Sequence, residues 1–256
     1  FSGTQSGFVW EDDDFRDFLK RDVAGTVFEF GPRSTPGFKG AKPLGLGGWE
    51  LEFVGWNTVF PLPGRHNLLD ALAAVSVAMK LGAGSEALAS GLASVKPLFG
   101  RSQLFGGRIS LLQDCYNANP ESSRALLDLV DSLEWPGKKI YVLGSMRELG
   151  EESRAEHRAL GARARKSKAD KLFFFGEEMA EALLGWEEAG GARRSPPLHT
   201  EDMALLQKAV LAALEPGDLL VLKASRGLEL ERLSNAVFDA GWAELPGGEQ
   251  GGSHAS

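Results

Sequence analysis

Apolar positions along the chain follow two rhythms. From Phe1 to about Leu62 they come in short or alternating runs, Phe8 to Trp10, Thr26 to Phe30, Glu50 to Val54 and Thr58 to Leu62, separated by Gly- and Pro-rich connections. Such runs bounded by turn residues predict strands. The stretch from Gly31 to Gly48 is rich enough in Gly and Pro to read as loop. Strands that follow one another without helices predict an antiparallel extension, or the last part of a sheet begun upstream.

At Gly64-Arg65-His66-Asn67 the pattern turns helical. Leu68 to Leu81, full of Ala and Leu, is closed by Gly82, and a second helix from Glu86 to Leu92 takes Ser85 as its N-cap. The connection Lys96-Pro97-Leu98-Phe99-Gly100-Arg101 is the boundary candidate, because a different order begins after it. Ile109 to Gln113, Lys139 to Leu143, Leu172 to Phe175 and Leu219 to Leu222 read as strands. Helices are expected near Ser122 to Leu133, Glu152 to Lys166, Glu177 to Leu184, Asp202 to Leu214 and Leu228 to Ala240. Alternation of this kind predicts an α/β domain, a doubly wound and mostly parallel sheet with crossover helices. Pro246 to Ser256 is Gly-rich and polar and is expected to be disordered.

Composition narrows the function classes. The 256 residues carry a net charge of −7 with no basic run, which gives a phosphate-held nucleic-acid partner little electrostatic support. A single cysteine, Cys115, excludes an internal disulfide framework and a multi-cysteine zinc site and fits a cytoplasmic, reducing location. No apolar run approaches the roughly 20 residues of a membrane span, and the opening residues are not a signal peptide. A start at Phe1 without Met reads as a piece of a longer chain. Neither G-x-x-x-x-G-K-[ST] nor G-x-G-x-x-G occurs, so a nucleotide would need a phosphate cradle from elsewhere.

The chemistry gathers at predicted strand ends. Asp114-Cys115-Tyr116-Asn117-Ala118-Asn119-Pro120 closes one strand and opens a helix, the place where open α/β sheets bind ligands. Asp114 there can accept the two hydroxyls of a ribose, or serve as an Asx-turn or N-cap residue. Asn117 and Asn119 can reach one substrate, or only shape the turn. Lys223-Ala224-Ser225-Arg226-Gly227 closes another strand on the same edge, and Gly144-Ser145-Met146-Arg147-Glu148-Leu149-Gly150 a third. Arg101 at the junction can bridge to a phosphate or be a surface cation. His66 reads as a structural hydrogen-bonder sooner than as a catalyst. His199 and His254 carry no functional reading, and Cys115 has no base nearby in sequence.

Five ordered segments carry a resemblance: Gly64-Arg65-His66-Asn67-Leu68-Leu69-Asp70-Ala71-Leu72, Phe99-Gly100-Arg101, Asp114 to Pro120, Leu143 to Gly150 with His157, and Lys223-Ala224-Ser225-Arg226. Together they resemble the C-terminal part of the Mur ligases, and within that family the branch that adds D-alanyl-D-alanine to UDP-N-acetylmuramoyl-tripeptide. The resemblance implies an ATP-dependent amide ligation through an acyl phosphate. Residues 1–99 would be the end of an ATP-binding central domain without its phosphate loop, 100–245 a Rossmann-like ligase domain, and 246–256 a tail. His66, Asn67, Asp70, Arg101 and Asp114 would bind the nucleotide; Asn117, Asn119, Lys223, Ser225 and Arg226 would bind the dipeptide.

The partners implied are UDP-N-acetylmuramoyl-tripeptide, D-alanyl-D-alanine and the N-terminal part of the same enzyme. ATP and Mg2+ would be held mainly by that part, and no metal ligand is assigned in this chain. Asp70, Cys115, Ser145 and Ala224 stand where the family usually has Asn, Ser, Asp and Gly. Another Mur-type or folylpolyglutamate-type amide ligase, and a non-catalytic module with the same fold, stay open as alternatives.

Overall fold

A computed structural model of the chain describes residues 3, 5–21, 23–191 and 195–245. The tail expected to be disordered, 246–256, lies outside the described residues, as does His254. Two compact units divide the chain, one within Phe1–Lys96 and one within Pro97–Ser256.

In the first unit, β1 (Ser6–Trp10), α1 (Arg16–Arg21) and β2 (Thr26–Phe30) are followed by β3 (Phe38–Pro43), β4 (Trp49–Phe53), β5 (Trp56–Phe60), α2 (Arg65–Lys80) and α3 (Ser85–Ala93). β1 and β2 pair in parallel, whereas β3, β4 and β5 form an antiparallel sheet. The expected antiparallel strands are β3, β4 and β5, whereas β1 and β2 form a separate parallel pair. Nor is the Gly- and Pro-rich stretch from Gly31 to Gly48 all loop: it contains β3, whose Phe38 and Ala41 pack on the core. Its Pro43 closes the strand, a position where a missing N–H costs little.

α1 escapes the pattern because its six residues bury none of their side chains. Ser85 is the first residue of α3 and Gly84 its N-cap, with no side-chain cap bond, so the expected cap is displaced by one position. Leu51, Phe53 and Phe60 of the antiparallel sheet meet Leu68, Leu72 and Val75 of α2 and Leu92 of α3. Phe53 and Trp56 stack at 4.1 Å, and Thr58 Oγ1 donates to Ala89 O at 2.9 Å, fastening β5 to α3.

The second unit contains β6 (Gln103–Phe105), β7 (Ser110–Asp114), α4 (Pro120–Ser132), β8 (Lys139–Gly144), α5 (Ser153–Arg165), β9 (Lys171–Phe175), α6 (Met179–Glu188), β10 (Leu198–Thr200), α7 (Met203–Leu211), β11 (Leu219–Lys223) and α8 (Glu231–Asp239). Its six-stranded sheet runs β10-β9-β8-β11-β7-β6. Only β6 is antiparallel to its neighbour. The alternation of strand and helix is realised as expected; the edge strands β6 and β10 escaped because three residues are too few to show a period.

Burial follows. β8 and β11 are buried at every position, the continuous apolar run of a parallel strand covered on both faces. Leu111, Val142, Phe173 and Leu222 join Leu206 and Val210 of α7 and Leu233 and Val237 of α8 in one core. α5 and α6 meet backbone to backbone: a Cβ at Gly161 would sit 1.8 Å from Ala182 O, and one at Gly185 2.1 Å from Arg158 O. Glycine is required at both positions.

β11 lies between β7 and β8, so the chain passes over it on the way from β7 to β8 and returns to fill the gap last. In open α/β sheets ligands bind at the carboxyl ends of strands where the order reverses, here those of β7, β8 and β11.

Candidate functional site

Asp114 and Lys223 end β7 and β11 in register as direct neighbours. Lys223 Nζ donates to Asp114 Oδ2 at 2.8 Å and to the carbonyl of Asn117 at 2.7 Å, with the lysine side chain only 4% exposed. A buried ammonium satisfied by a carboxylate and a carbonyl fixes both the strand end and the loop after it. Asp114 Oδ1 accepts from the backbone N–H of Ser102 at 3.3 Å. Ser102 itself holds a left-handed backbone, φ 49°, which is unusual for a residue with a side chain and marks the loop before β6 as held in place.

Ser225 ties the three strand ends together. Its hydroxyl donates to Ala118 O at 3.2 Å and accepts from the N–H of Arg147 at 2.9 Å, while its own N–H donates to Ser145 O at 3.2 Å. The side chain is thereby committed to the loops after β7 and β8. Asn119 is the N-cap of α4: its side chain accepts from Ser122 N at 2.7 Å, and Ser122 Oγ accepts in return from Asn119 N at 3.2 Å. One face of that amide is used in the cap, and its NH2 group remains available. Asn117 is exposed.

Arg101 and Arg226 both reach Tyr116, their guanidinium carbons 4.5 and 5.6 Å from its ring centroid. Arg226 also lies 5.0 Å from the Phe99 ring centroid and 3.8 Å from Glu231 Oε1. Behind it, the buried Cys115 thiol sits 3.9 Å from Glu231 Oε2. Burial first, then the charges of Glu231 and Asp114, push that thiol up to about 12. A protonated, enclosed thiol is no nucleophile at neutral pH.

The loop after β8 is held from below by His157, fully buried. Its Nε2 accepts from Met146 N at 2.9 Å and its Nδ1 lies 2.7 Å from Ser153 O. The ring therefore carries its proton on Nδ1 and acts as a pin. Arg147 pairs with Glu178 at 2.8 Å. Burial raises the Glu178 carboxyl, but its polar surroundings, Arg147 among them, act the other way, and the net shift is downward. Beside them a Cβ on Gly144 would meet the Ala224 methyl at 2.7 Å. The methyl fills space that Gly144 leaves open.

The second unit thus brings together Arg101, Asp114, Asn117, Asn119, Lys223, Ser225 and Arg226. His66, Asn67 and Asp70 form a separate group in the first unit, at the start of α2. There Asn67 Nδ2 donates to Pro63 O at 2.6 Å, and the His66 ring packs over Gly64, where a Cβ would lie 2.8 Å from its Cε1. Partial desolvation raises the Asp70 carboxyl, with His66 pulling it back. Sequence reasoning did not assign Tyr116, Glu231, Arg147 or Glu178 to the site. Tyr116 lies inside the quoted loop, but its signal is the pair of cations that only the fold assembles.

Residues 100–226 match the family described as Mur ligase, glutamate ligase domain. The chain is 35% identical over 243 residues to the UDP-N-acetylmuramoyl-tripeptide--D-alanyl-D-alanine ligase of Treponema pallidum, covering 91% of this chain and 50% of that protein. It is 37% identical over 190 residues to the Bacillus subtilis enzyme of the same name, covering 72% and 40%. It spans about half the length, or less, of these curated relatives. Among solved structures it superposes on MurF from Acinetobacter baumannii with TM-score 0.77 at 24% identity, over 91% of this chain and 51% of that one. MurF ligase from Thermotoga maritima, solved in complex with ADP, superposes with TM-score 0.75 at 24% identity, over 91% and 53%. At that identity the superpositions establish the fold. With the strand-end loops in place and the family match spanning them from Gly100 to Arg226, the chain belongs to the Mur ligase family, as its C-terminal portion.

Proposed function

We propose that this chain is part of an ATP-dependent amide ligase that adds D-alanyl-D-alanine to UDP-N-acetylmuramoyl-tripeptide in cytoplasmic peptidoglycan precursor synthesis. The observation that carries the reading is the convergence at the ends of β7, β8 and β11 of the Asp114 carboxylate and the exposed Arg101 and Arg226, on loops locked by Lys223 and Ser225. It lies wholly within the segment that matches the ligase domain. In the reaction, the tripeptide carboxylate takes the γ-phosphoryl group of ATP to give an acyl phosphate and ADP. The dipeptide amine then forms the amide and phosphate leaves.

Phosphoryl transfer of this kind rests on positioning and charge stabilisation, and this chain's residues divide that work. Asp114 keeps acceptor capacity beyond its bonds to Lys223 and Ser102 and is proposed to hold the ribose hydroxyls. Arg101, exposed beside it, is proposed for the nucleotide phosphates, with His66, Asn67 and Asp70 as nucleotide contacts of the first unit. Asn117, the free NH2 of Asn119 and Arg226 are proposed to face the dipeptide, the guanidinium matching its carboxylate. Lys223 and Ser225 act on that face by holding the loops. Residues 1–99 are proposed as the end of the ATP-binding central domain and 100–245 as the ligase domain.

Among the described residues, no group of three or more His, Cys, Asp or Glu side chains could hold a metal ion. On the family resemblance, the Mg2+ that accompanies ATP is proposed to take its ligands mainly from the N-terminal part of the complete enzyme. No helix among the described residues is long and apolar enough to cross a membrane.

The test is phosphate release by the complete protein with UDP-N-acetylmuramoyl-tripeptide, ATP and a panel of amines. Turnover dependent on D-alanyl-D-alanine is the expected result. Turnover with a single amino acid and none with the dipeptide would overturn it in favour of another amide ligase, and no turnover with any amine would favour a non-catalytic module.

A further inference from the structure

Among the described residues, Tyr116 is the one ring that Arg101 and Arg226 share. Its backbone N–H donates to Gly100 O at 2.9 Å, so the ring is anchored to the loop that carries Arg101. The Arg101 guanidinium carbon lies 4.5 Å from its centroid and that of Arg226 5.6 Å. These arginines come from opposite ends of the unit's sequence, one ahead of β6 and one after β11. Two long side chains of like charge repel and carry many rotamers; an aromatic face attracts each and restricts both. The ring is 43% exposed, so its contacts with the cations, more than burial, account for where it stands. Of the two arginines only Arg226 pairs with Glu231, and Arg101 has no ion pair among the described residues.

We propose that Tyr116 is a positioning residue of the ligase site, a single aromatic platform that presets Arg101 for the nucleotide phosphates and Arg226 for the carboxylate of the incoming amine. The proposal rests on the functional reading above and adds to it that one side chain serves both substrates. It uses the ring face and not the phenol oxygen, so phenylalanine replaces Tyr116 in the role and leucine does not.

In the complete enzyme, Tyr116→Leu is expected to raise the KM for ATP and for the dipeptide, each by about two- to sixfold, with kcat within about twofold, the range of a cation–π contact at an exposed site. Tyr116→Phe is expected to match the parent. Arg101→Met is expected to raise only the ATP constant, and Arg226→Met only the dipeptide constant. A leucine variant that changes neither constant, only one, or only kcat overturns the proposal, as does a phenylalanine variant that behaves like leucine.

Side-chain NMR of the present chain gives an independent reading. The Nε–Hε signals of Arg101 and Arg226 are expected to be ring-current shifted in the parent and in Tyr116→Phe, and to return to ordinary positions in Tyr116→Leu. Unshifted signals in the parent overturn the positioning role even where a variant fails to fold. An enzyme inactive with D-alanyl-D-alanine but retaining both shifts would defeat the functional reading and leave the platform standing.

Discussion

Lys223 Nζ and Asp114 Oδ2 form a 2.8 Å ion pair at the adjacent ends of β11 and β7, with side chains 4% and 14% exposed. An ion pair this enclosed differs from the exposed pairs elsewhere on the protein, because the Lys223 ammonium has almost no water to fall back on. Removing one partner leaves a charge without compensation. Lys223→Met is expected to destabilise the chain by roughly 3 kcal/mol. The double variant Lys223→Met with Asp114→Asn should recover a substantial part of that loss, since the stranded carboxylate is gone. Urea unfolding of the parent, the singles and the double checks this; strictly additive losses would show that the pair does not act as a unit.

Asn119 has two functions that one substitution can separate. Asn119→Ala removes the α4 cap and is expected to cost about 1 kcal/mol. Asn119→Asp keeps the acceptor that Ser122 N needs and loses only the NH2 donors. In the complete enzyme the aspartate variant should therefore retain stability yet raise the dipeptide KM, while Asp114→Ala raises mainly the ATP KM. Equal effects of both variants on both substrates would mean that the loop is a turn and nothing more.

Gly144 and Ala224 share one space. Adding a methyl by Gly144→Ala is expected to cost about 1–3 kcal/mol as overpacking, because it would meet the Ala224 methyl at 2.7 Å and Leu228 Cδ1 at 2.9 Å. Restoring room with Ala224→Gly in the same chain should return part of the loss. Thermal unfolding of the single and double variants decides it: a double variant no more stable than Gly144→Ala would put the obstacle elsewhere.

Glu178 gives the loop after β8 a pH dependence. Its folded carboxyl titrates below its ordinary value of 4.5, so its contribution is complete above that value and is lost as pH falls through the lower folded value. Glu178→Gln should therefore flatten the acid limb of a stability-against-pH curve below about pH 4.5 and leave the shape near neutrality unchanged. Urea midpoints measured from pH 3 to 7 provide the comparison. An acid limb as steep in the variant as in the parent would remove Glu178 from the explanation.

Much of this protein was legible in its sequence because the signals were local. Continuous apolar runs at β8 and β11 mark strands covered on both faces, and their alternation with helices predicts the parallel sheet. The helix expected near Ser122 begins at Pro120, and the N-cap role offered for Asp114 belongs to Asn119. The order of the strand-end segments carries the family resemblance, which the family match and the relatives bear out.

What required tertiary structure depends on residues far apart in sequence. β3 was hidden because Gly and Pro mask a strand whose support is the packing of Phe38 and Ala41, and the parallel pairing of β1 with β2 follows from no local pattern. That Lys223 neutralises Asp114, that Ser225 binds loops rather than standing free, and that one ring gathers Arg101 and Arg226 all follow from strand order. β11 enters the sheet last, between β7 and β8, and brings its terminal side chains within hydrogen-bonding reach of loops laid down more than a hundred residues earlier. Local propensity specifies which residues form strands and caps; burial of two sheet faces at once decides which strands become neighbours, and so which charges meet.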